Sequence, residues 1–414
     1  MLRSVLTGTV LPPPGRIRPF AAANLVRTVG SGLLLATSML YFVRVVGLAP
    51  AQVGAGLSVA AAVAVLAGLP AGRLADLLGP RRLTVLLTVG HGVAVAGFAL
   101  AGSFWAFLTA ASLAVSFEAG TQASRGALVA SALPGSQRVE ARAYMRAVSN
   151  VGVSAGVALG GLALYLDSPT AYRIVLVACG LCLCASALFY LALPEAERRP
   201  GAAGGPLLHF EVLRDRPYMT VTALNAVLAS HDAILTVALP LWISTRTDVP
   251  PWVYSVLVLT NTVLVIALQV RLSRGIDTVA ASARSLTRAG WTVAASCVLF
   301  GLAGGQARWV AVVLLLLGAV VHVLGELQQS AGSWGLAYEL APEHAQGEYQ
   351  GMFSTSLQVA GIVTPFVAGV LLVGRGLPGW LLFALVLVLA ATAVPRAAAW
   401  AQRRQVPAAA DPPS

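Results

Sequence analysis

The chain has 414 residues, of which 57% are hydrophobic and only 10% are charged, and its formal net charge is +11. Soluble globular proteins have about a quarter of their residues charged, so this composition excludes an ordinary soluble protein. The sequence contains no lysine, and its arginines stand in short stretches between long apolar runs. Arginines in that setting indicate cytoplasmic loops of a membrane protein rather than a nucleic-acid interface.

Apolar runs of about 20 residues or more recur along the whole length, which predicts a polytopic helical membrane protein. We predict twelve transmembrane helices, numbered 1 to 12 in chain order, at approximately 20–46, 51–71, 83–102, 105–130, 141–165, 172–193, 219–244, 252–270, 286–304, 309–338, 349–373 and 379–400. An even number places both termini on one side of the membrane, and the arginine-rich loops identify that side as the cytoplasm.

The longest interruption divides the twelve helices into six and six. It predicts a cytoplasmic arm at 1–19, a six-helix bundle at 20–193, a cytoplasmic linker at 194–217, a second bundle at 218–400 and a cytoplasmic tail at 401–414. A shift of 208 residues places Glu118 on Glu326 and Pro134 on Pro342, which indicates an internal repeat. The predicted fold class is therefore an all-α membrane protein with two pseudo-symmetric six-helix bundles.

Polar side chains recur in four of the predicted helices at spacings of three, four and seven residues, which place each set on one helical face. The candidate residues for proton coupling or for the substrate cavity are Arg27 in helix 1, Glu118 and Gln122 in helix 4, Asn225 and Asp232 in helix 7, and His322, Glu326 and Gln329 in helix 10. Helices 3, 6, 9 and 12 are poorer in such residues. The four faces are predicted to line one central cavity.

Three carboxylates, Glu118, Asp232 and Glu326, are predicted near the middle of their spans. A lone carboxylate at that depth costs about 2.5–3.5 kcal/mol, so each requires a reason. One interpretation is the handling of protons or cations. The other is structural pairing, of Glu118 with Arg125 on the same helix or with Arg27 on a neighbouring one. The sequence leaves both interpretations open.

No pattern in the sequence predicts an enzyme, a metal site or a cofactor. Gly152-Val153-Ser154-Ala155-Gly156 matches a nucleophile motif, but it lies in a glycine-rich apolar helix, where small residues allow helices to pack closely. His322 and Glu326 are four residues apart, as metal ligands can be, without an evident third ligand. We therefore expect no catalytic residue and no bound metal.

The stretch between helices 2 and 3 has the pattern Gly72-x-x-x-Asp76-x-x-Gly79-x-Arg81-Arg82. It resembles the signature loop of the major facilitator superfamily and departs from it at Leu77 and Pro80, where that family usually has basic residues. The resemblance implies a twelve-helix transporter that works by alternating access. It also implies a cytoplasmic gate formed by the motif residues, with Arg125 as a candidate partner of Asp76.

Helix 5 contains Gly152-x-x-x-Gly156-Val157-x-x-Gly160-Gly161. This resembles the glycine-rich signature of the drug:proton antiporter branch, except that Val157 stands where a proline is usual. The resemblance implies proton-coupled efflux of small organic or drug-like compounds, which is our leading functional hypothesis.

Other functions stay open from the sequence. The alternatives are proton-coupled uptake, secretion of one defined metabolite with Arg27 binding an anionic group, and a non-transporting membrane sensor or scaffold. The expected partners are a small-molecule substrate, protons and the lipid bilayer, without nucleic acid. We expect a monomer in the inner (plasma) membrane with both termini in the cytoplasm.

Overall fold

The computed structural model describes residues 15–166, 168–194, 211–250 and 252–405. Within these residues the chain forms twelve long helices and no strand, as the sequence predicts. The first six, α1 to α6, are Ile17–Leu40, Pro50–Leu78, Pro80–Gly97, Phe104–Ala132, Gly135–Leu166 and Pro169–Leu191. The second six, α7 to α12, are Arg216–Arg246, Trp252–Ser273, Val279–Leu302, Arg308–Glu339, Gln346–Val367 and Leu377–Gln405. Most of the predicted arm, linker and tail lies outside the described residues.

Nine of the twelve helices in the described ranges are long and apolar enough to cross a membrane. The other three, α4, α5 and α9, have comparable lengths but carry more polar and charged residues, among them Glu118, Arg142 and Arg284. The chain is a multi-pass membrane protein.

Helix ends follow the local sequence. The hydroxyls of Ser103 and Ser168 accept the backbone N–H groups of Ala106, at 3.3 Å, and Ala171, at 3.2 Å, and so cap the starts of α4 and α6. Gly79 alone separates α2 from α3, with a φ of +92° that a side chain would oppose. Helices α1 and α12 extend beyond their predicted bounds, α1 into the predicted arm and α12 into the predicted tail.

Helix α7 is interrupted, although a continuous helix was predicted over 219–244. It ends at Ala229, passes through a turn at Ser230 and His231, and continues as a π-helical turn at Ile234–Ala238 before Leu239–Arg246. The Ser230 hydroxyl bonds back to the Val227 carbonyl, a local bond that competes with helical hydrogen bonding. Two more π-helical turns follow α1 at Tyr41–Val45 and α11 at Ala368–Val373.

The helices group into two compact units. Unit 1 contains the described residues of Met1–Pro134, Tyr144–Phe210 and Glu343–Thr355, and unit 2 those of Gly135–Ala143, Glu211–Pro342 and Ser356–Ser414. In unit 1, α1 packs on α6, α3 on both α4 and α6, and α2 on α4. In unit 2 the same pairings recur six helices later, with α7 on α12, α9 on both α10 and α12, and α8 on α10. This recurrence is the predicted pseudo-symmetry.

The units differ from the predicted bundles, 20–193 and 218–400, in two short segments. The start of α5 groups with unit 2, where the Arg142 guanidinium lies 3.8 Å from the centre of the Trp334 ring and its Nε donates to Tyr338 Oη at 2.7 Å. The start of α11 groups with unit 1, where its backbone amides bind Asp76. Contacts of this kind join residues that are far apart in sequence, so hydrophobic periodicity cannot reveal them.

Candidate functional site

Asn24 organises the polar face of α1 in unit 1. Its Nδ2 donates to Met145 O and Ser149 Oγ on α5, both at 2.6 Å. Its Oδ1 accepts from Arg27 Nη2 at 3.2 Å and from Arg125 Nη1 at 3.3 Å. Because an amide has both donors and an acceptor, this buried side chain binds α5 and two guanidinium groups at once.

Glu118 on α4 is surrounded by side chains from three helices. Arg27 Nη1 and Gln122 Nε2 both donate to its Oε1 at 3.2 Å, and His91 Nδ1 lies 3.1 Å from its Oε2. The side chains of Arg27, Glu118 and His91 are 13%, 22% and 11% exposed. Of the two structural pairings that the sequence left open for Glu118, the structure forms the one with Arg27.

His91 was not among the predicted site residues. It lies on α3, in a helix judged poor in polar residues, and its polar neighbours at helical spacing, Thr84 and Thr88, are uncharged. It meets Glu118 only because α3 packs against α4. One signal could have found it, since His91 is the only titratable residue between Arg82 and Glu118.

A cavity of about 310 Å³ lies beside this cluster, within unit 1. Its walls are mostly apolar and include an aromatic group in which the Phe42 ring centroid lies 5.2 Å from that of Phe98 and 4.4 Å from that of Phe107. His91 and Glu118 also line the cavity. An apolar cavity with a few polar groups on its wall is typical of a small-molecule site.

Unit 2 has a polar cluster of its own. Gln329 Nε2 donates to Asn225 Oδ1 at 3.1 Å, so these two predicted residues are brought together. Glu326 Oε2 accepts from Asn261 Nδ2 at 2.7 Å. Asn261 lies on α8 between Thr260 and Thr262 and was not predicted, because the middle of this helix has no charged residue.

Two histidines lie together in unit 2. His322 is packed edge-on against His231 with ring centroids 5.2 Å apart, and both side chains are buried. His322 Nδ1 lies 3.9 Å from Glu326 Oε2. Asp232 stands near the middle of α7, beside the break in that helix, and its side chain is 73% exposed. Within the ranges that the structure describes, no group of three His, Cys, Asp or Glu residues has a geometry that could hold a metal ion.

Asp76 caps the start of α11. Its Oδ1 accepts the backbone N–H of Gly347 at 2.7 Å, and its Oδ2 accepts that of Glu348 at 2.8 Å. A carboxylate at this position is stabilised by the positive end of the helix dipole. Arg73 Nη1 lies 3.9 Å from Glu348 Oε2. The carboxylate oxygens of Asp76 are therefore bound by backbone amides of α11 and not by Arg125, the partner considered from the sequence.

The other residues of this motif have separate positions. A side-chain carbon on Gly72 would collide with the carbonyl oxygen of Gly347, so only glycine allows α2 and the start of α11 to approach this closely. Gly79 forms the turn between α2 and α3. Arg81 Nη1 donates to Leu193 O at 2.9 Å, just beyond α6, and Arg82 is exposed.

The glycine motif of α5 is a helix-packing surface. Three of its four glycines lie against α1, where an added side-chain carbon would collide: Gly152, Gly156 and Gly160. For Gly156 the nearest atom is the carbonyl oxygen of Val29. Gly161 faces open space. The motif therefore brings α5 against the helix that carries Arg27.

A family profile described as the Major Facilitator Superfamily matches residues 20–365. The chain belongs to the Major Facilitator Superfamily. The resemblance seen in the loop between helices 2 and 3 is thus confirmed at the level of the superfamily, while the antiporter branch stays a prediction. Membership supports a secondary transporter, as predicted from the sequence.

This superfamily member has the fold of several solved transporters. The human organic anion transporter MFSD10 (TETRAN) is 18% identical over 92% of this chain and 100% of its own, with a TM-score of 0.66. A bacterial homologue of the iron transporter ferroportin is 17% identical over 94% and 100%, with a TM-score of 0.72. The E. coli fucose:proton symporter FucP is 15% identical over 93% and 98%, with a TM-score of 0.68. No curated protein matches the chain.

Proposed function

We propose that this protein exports small organic compounds in exchange for protons, with the substrate bound in the apolar cavity of unit 1. The observation that carries the proposal is the position of Glu118 on the wall of that cavity, between Arg27 and His91. The cluster joins a carboxylate, an imidazole and a permanent positive charge next to a space of about 310 Å³.

The pair formed by His91 and Glu118 provides two proton acceptors 3.1 Å apart. A proton on Glu118 removes the negative charge that holds Arg27, so the contact between α1 and α4 loses its ionic part. Substrate binding beside the pair changes its surroundings in turn. Two ligands that change each other's binding free energy in this way are coupled, as transport against a gradient requires.

The walls of the cavity favour an apolar substrate with one polar or basic group. Phenylalanine rings supply contact area, and the polar atoms at His91 and Glu118 supply one place for a hydrogen bond. An anionic substrate is less favoured, because Arg27 is already bound to Glu118 and Asn24. This argues against the hypothesis that Arg27 binds an anionic group.

Export is proposed because the glycine motif of α5 resembles that of the antiporter branch. The second candidate is proton-coupled uptake, which the fold shared with a fucose:proton symporter supports and which the same cluster would serve. We further propose that the protein works as a monomer in the inner (plasma) membrane, with both termini in the cytoplasm.

Everted membrane vesicles with an acidic lumen test the direction and the coupling. The substrate is first chosen by screening a deletion strain for sensitivity to a panel of toxic compounds. Adding it to vesicles that contain the protein should release protons from the lumen. Proton movement in the same direction as the substrate would instead identify a symporter.

Variants test the assignment of the site. Glu118→Gln and His91→Gln should each lower proton-driven transport by about fivefold or more, the range of typical coupling energies. Asp248→Asn, which removes an exposed carboxylate far along the chain from the cluster, should transport like the parent. If Glu118→Gln transports like the parent, the coupling assignment is wrong.

A further inference from the structure

One end of the helix pair formed by α9 and α12, in unit 2, carries a basic surface. Its members are five exposed arginines: Arg284, Arg288, Arg396, Arg403 and Arg404. None of the five guanidinium groups forms a hydrogen bond or an ion pair with another residue in the described part of the chain. By contrast, Arg16 donates to Ala132 O at 3.3 Å and Arg81 to Leu193 O at 2.9 Å. Among the described residues, the basic surface therefore has donors without a protein partner.

The five arginines lie at the same end because α9 and α12 pack antiparallel. The Thr287 hydroxyl of α9 donates to Ala391 O of α12 at 3.1 Å. Near the other end, a side-chain carbon on Gly301 would lie 2.9 Å from Leu377 Cδ1. The start of α9 is thus beside the end of α12. At about 1.5 Å per residue, Arg284, Arg288 and Arg396 lie within roughly 8 Å of the contact between Thr287 and Ala391, measured along the helix axes.

The exposed side chains of both helices change character in the same order. Along α9, the arginines are followed by Trp291, which is 54% exposed, and then by exposed Leu302. Along α12, read from its end, exposed Trp400 lies among the arginines and exposed Leu389 follows. Tryptophan is enriched at the headgroup level of membranes, with charged residues outside it and apolar residues inside. The order of arginine, tryptophan and leucine along both helices matches the order of phosphate groups, interface and acyl chains in one leaflet of a membrane.

We propose that the basic surface binds the phosphate headgroup of an anionic phospholipid, with Arg284 and Arg288 as its centre. These two residues are four apart and share one face of α9, so their guanidinium groups can bind the same phosphate. Positive-inside topology needs only basic residues in a loop. It does not need a pair on the exposed face of a helix, one turn before a tryptophan. The proposal is independent of the substrate and of the coupling ion.

Native mass spectrometry of the full-length protein in a neutral detergent provides the test. The protein is titrated with phosphatidylglycerol or with phosphatidylcholine of the same acyl chains. We expect preferential retention of phosphatidylglycerol by the parent. The double variant Arg284→Gln/Arg288→Gln should bind it about thirty-fold more weakly, because each arginine near an anionic lipid surface contributes to binding.

A matched control removes the same charge elsewhere. Arg173→Gln/Arg375→Gln changes two exposed arginines, one at the start of α6 and one just before α12, at the opposite end of that helix from the basic surface. It should bind phosphatidylglycerol like the parent. The charge-preserving Arg284→Lys/Arg288→Lys should retain most of the binding, and thermal unfolding in neutral detergent should be the same for all variants.

Three results would overturn the proposal. They are equal retention of the two lipids by the parent, an equal loss of phosphatidylglycerol in both glutamine variants, and displacement of the lipid by an equal concentration of inorganic phosphate. The second result would show that the lipid is retained by the net charge of the protein, and the third would show that the surface binds a free anion. Should Arg284→Gln/Arg288→Gln unfold early, the lysine variant decides, and a loss of binding there with the fold intact would also contradict a phosphate-charge contact.

Discussion

Glu118 keeps its place inside unit 1 because its oxygens are bound by side chains from α1, α3 and α4. Glu326, its counterpart in the repeat, accepts instead from the amide of Asn261 at 2.7 Å. Glu326 also lies 3.9 Å from His322 Nδ1, so an amide and an imidazole are near it, whereas Glu118 is bound by a guanidinium, whose positive charge is permanent. The two repeats therefore keep the acid but surround it differently, which is why the proposed coupling rests on unit 1.

Asp76→Asn should lower the rate of transport and leave substrate affinity nearly unchanged. The amide keeps one acceptor oxygen, but its nitrogen cannot accept the second backbone N–H of α11, and the charge that favours the helix start is lost. Asp76 is not among the residues that line the cavity. Transport rate and substrate binding, measured separately in proteoliposomes, check this.

Asp215→Asn is the control for Asp76. Asp215 accepts the backbone N–H of Tyr218 at 3.0 Å and caps α7, and asparagine caps helices about as well as aspartate. This variant should transport like the parent. A large loss of affinity in Asp76→Asn with a normal rate would place Asp76 in substrate binding instead of in the cytoplasmic gate that the motif predicts.

At the level of single residues, the sequence was informative where a residue's type and its position along a predicted span were enough to imply a partner. An acid predicted at mid-span needs a partner, and Arg27 was one of two candidates. His91 and Asn261 were missed because the polar residues near them in α3 and α8 are uncharged threonines, and only packing shows what each residue touches. Asp232 was predicted near mid-span from its distance along α7, but the break in the helix beside it could not be predicted from hydrophobicity.

At the scale of helices, close packing depends on where side chains are absent. In unit 1, α5 lies against α1 through Gly152, Gly156 and Gly160. Small residues let membrane helices approach until backbones touch, and van der Waals contact then replaces the hydrophobic driving force that lipid does not supply. The sequence predicted this use for the motif as a whole, but it could not show that Gly161 takes no part.

Gly156→Ala should destabilise the protein, whereas Gly161→Ala should not. The added methyl group at position 156 would meet the Val29 carbonyl of α1, and overpacking of this kind costs about 1–3 kcal/mol. At position 161 it meets nothing within 4 Å. The midpoint of thermal unfolding in detergent is the measurement. An equal decrease for both variants would show that the motif's glycines act through the flexibility of α5 rather than through contact with α1.

At the scale of the whole molecule, each unit repeats one set of four helix pairings. The six-helix repeat was predictable because it is a matter of length and hydrophobicity, which the sequence shows directly. The sequence could not predict that the start of α5 groups with unit 2 and the start of α11 with unit 1. These groupings depend on single contacts such as those of Arg142 and Asp76.

The proposed orientation can be tested with two single-cysteine variants. With Cys179, Cys182, Cys184 and Cys297 replaced by serine, Gln306→Cys should react with a membrane-impermeant maleimide on intact cells. Arg274→Cys should react only after permeabilisation. Helix α9, with 24 residues, separates the two positions and is about 36 Å long, enough to cross the bilayer. The opposite pattern would place the termini outside the cytoplasm.

The π-helical turn after α1 separates two tasks along a single helix. A π-turn holds an extra residue, so positions beyond it are rotated relative to an unbroken α-helix. Tyr41 and Phe42 are consecutive within this turn, and both are buried. Tyr41 Oη donates to Ala99 O at 3.1 Å, while Phe42 lines the cavity. Ser31 and Ser38, which precede the turn on α1, also line the cavity. The extra residue of the π-turn therefore sets the angle between Phe42 and these earlier lining residues, and with it the shape of this part of the cavity wall.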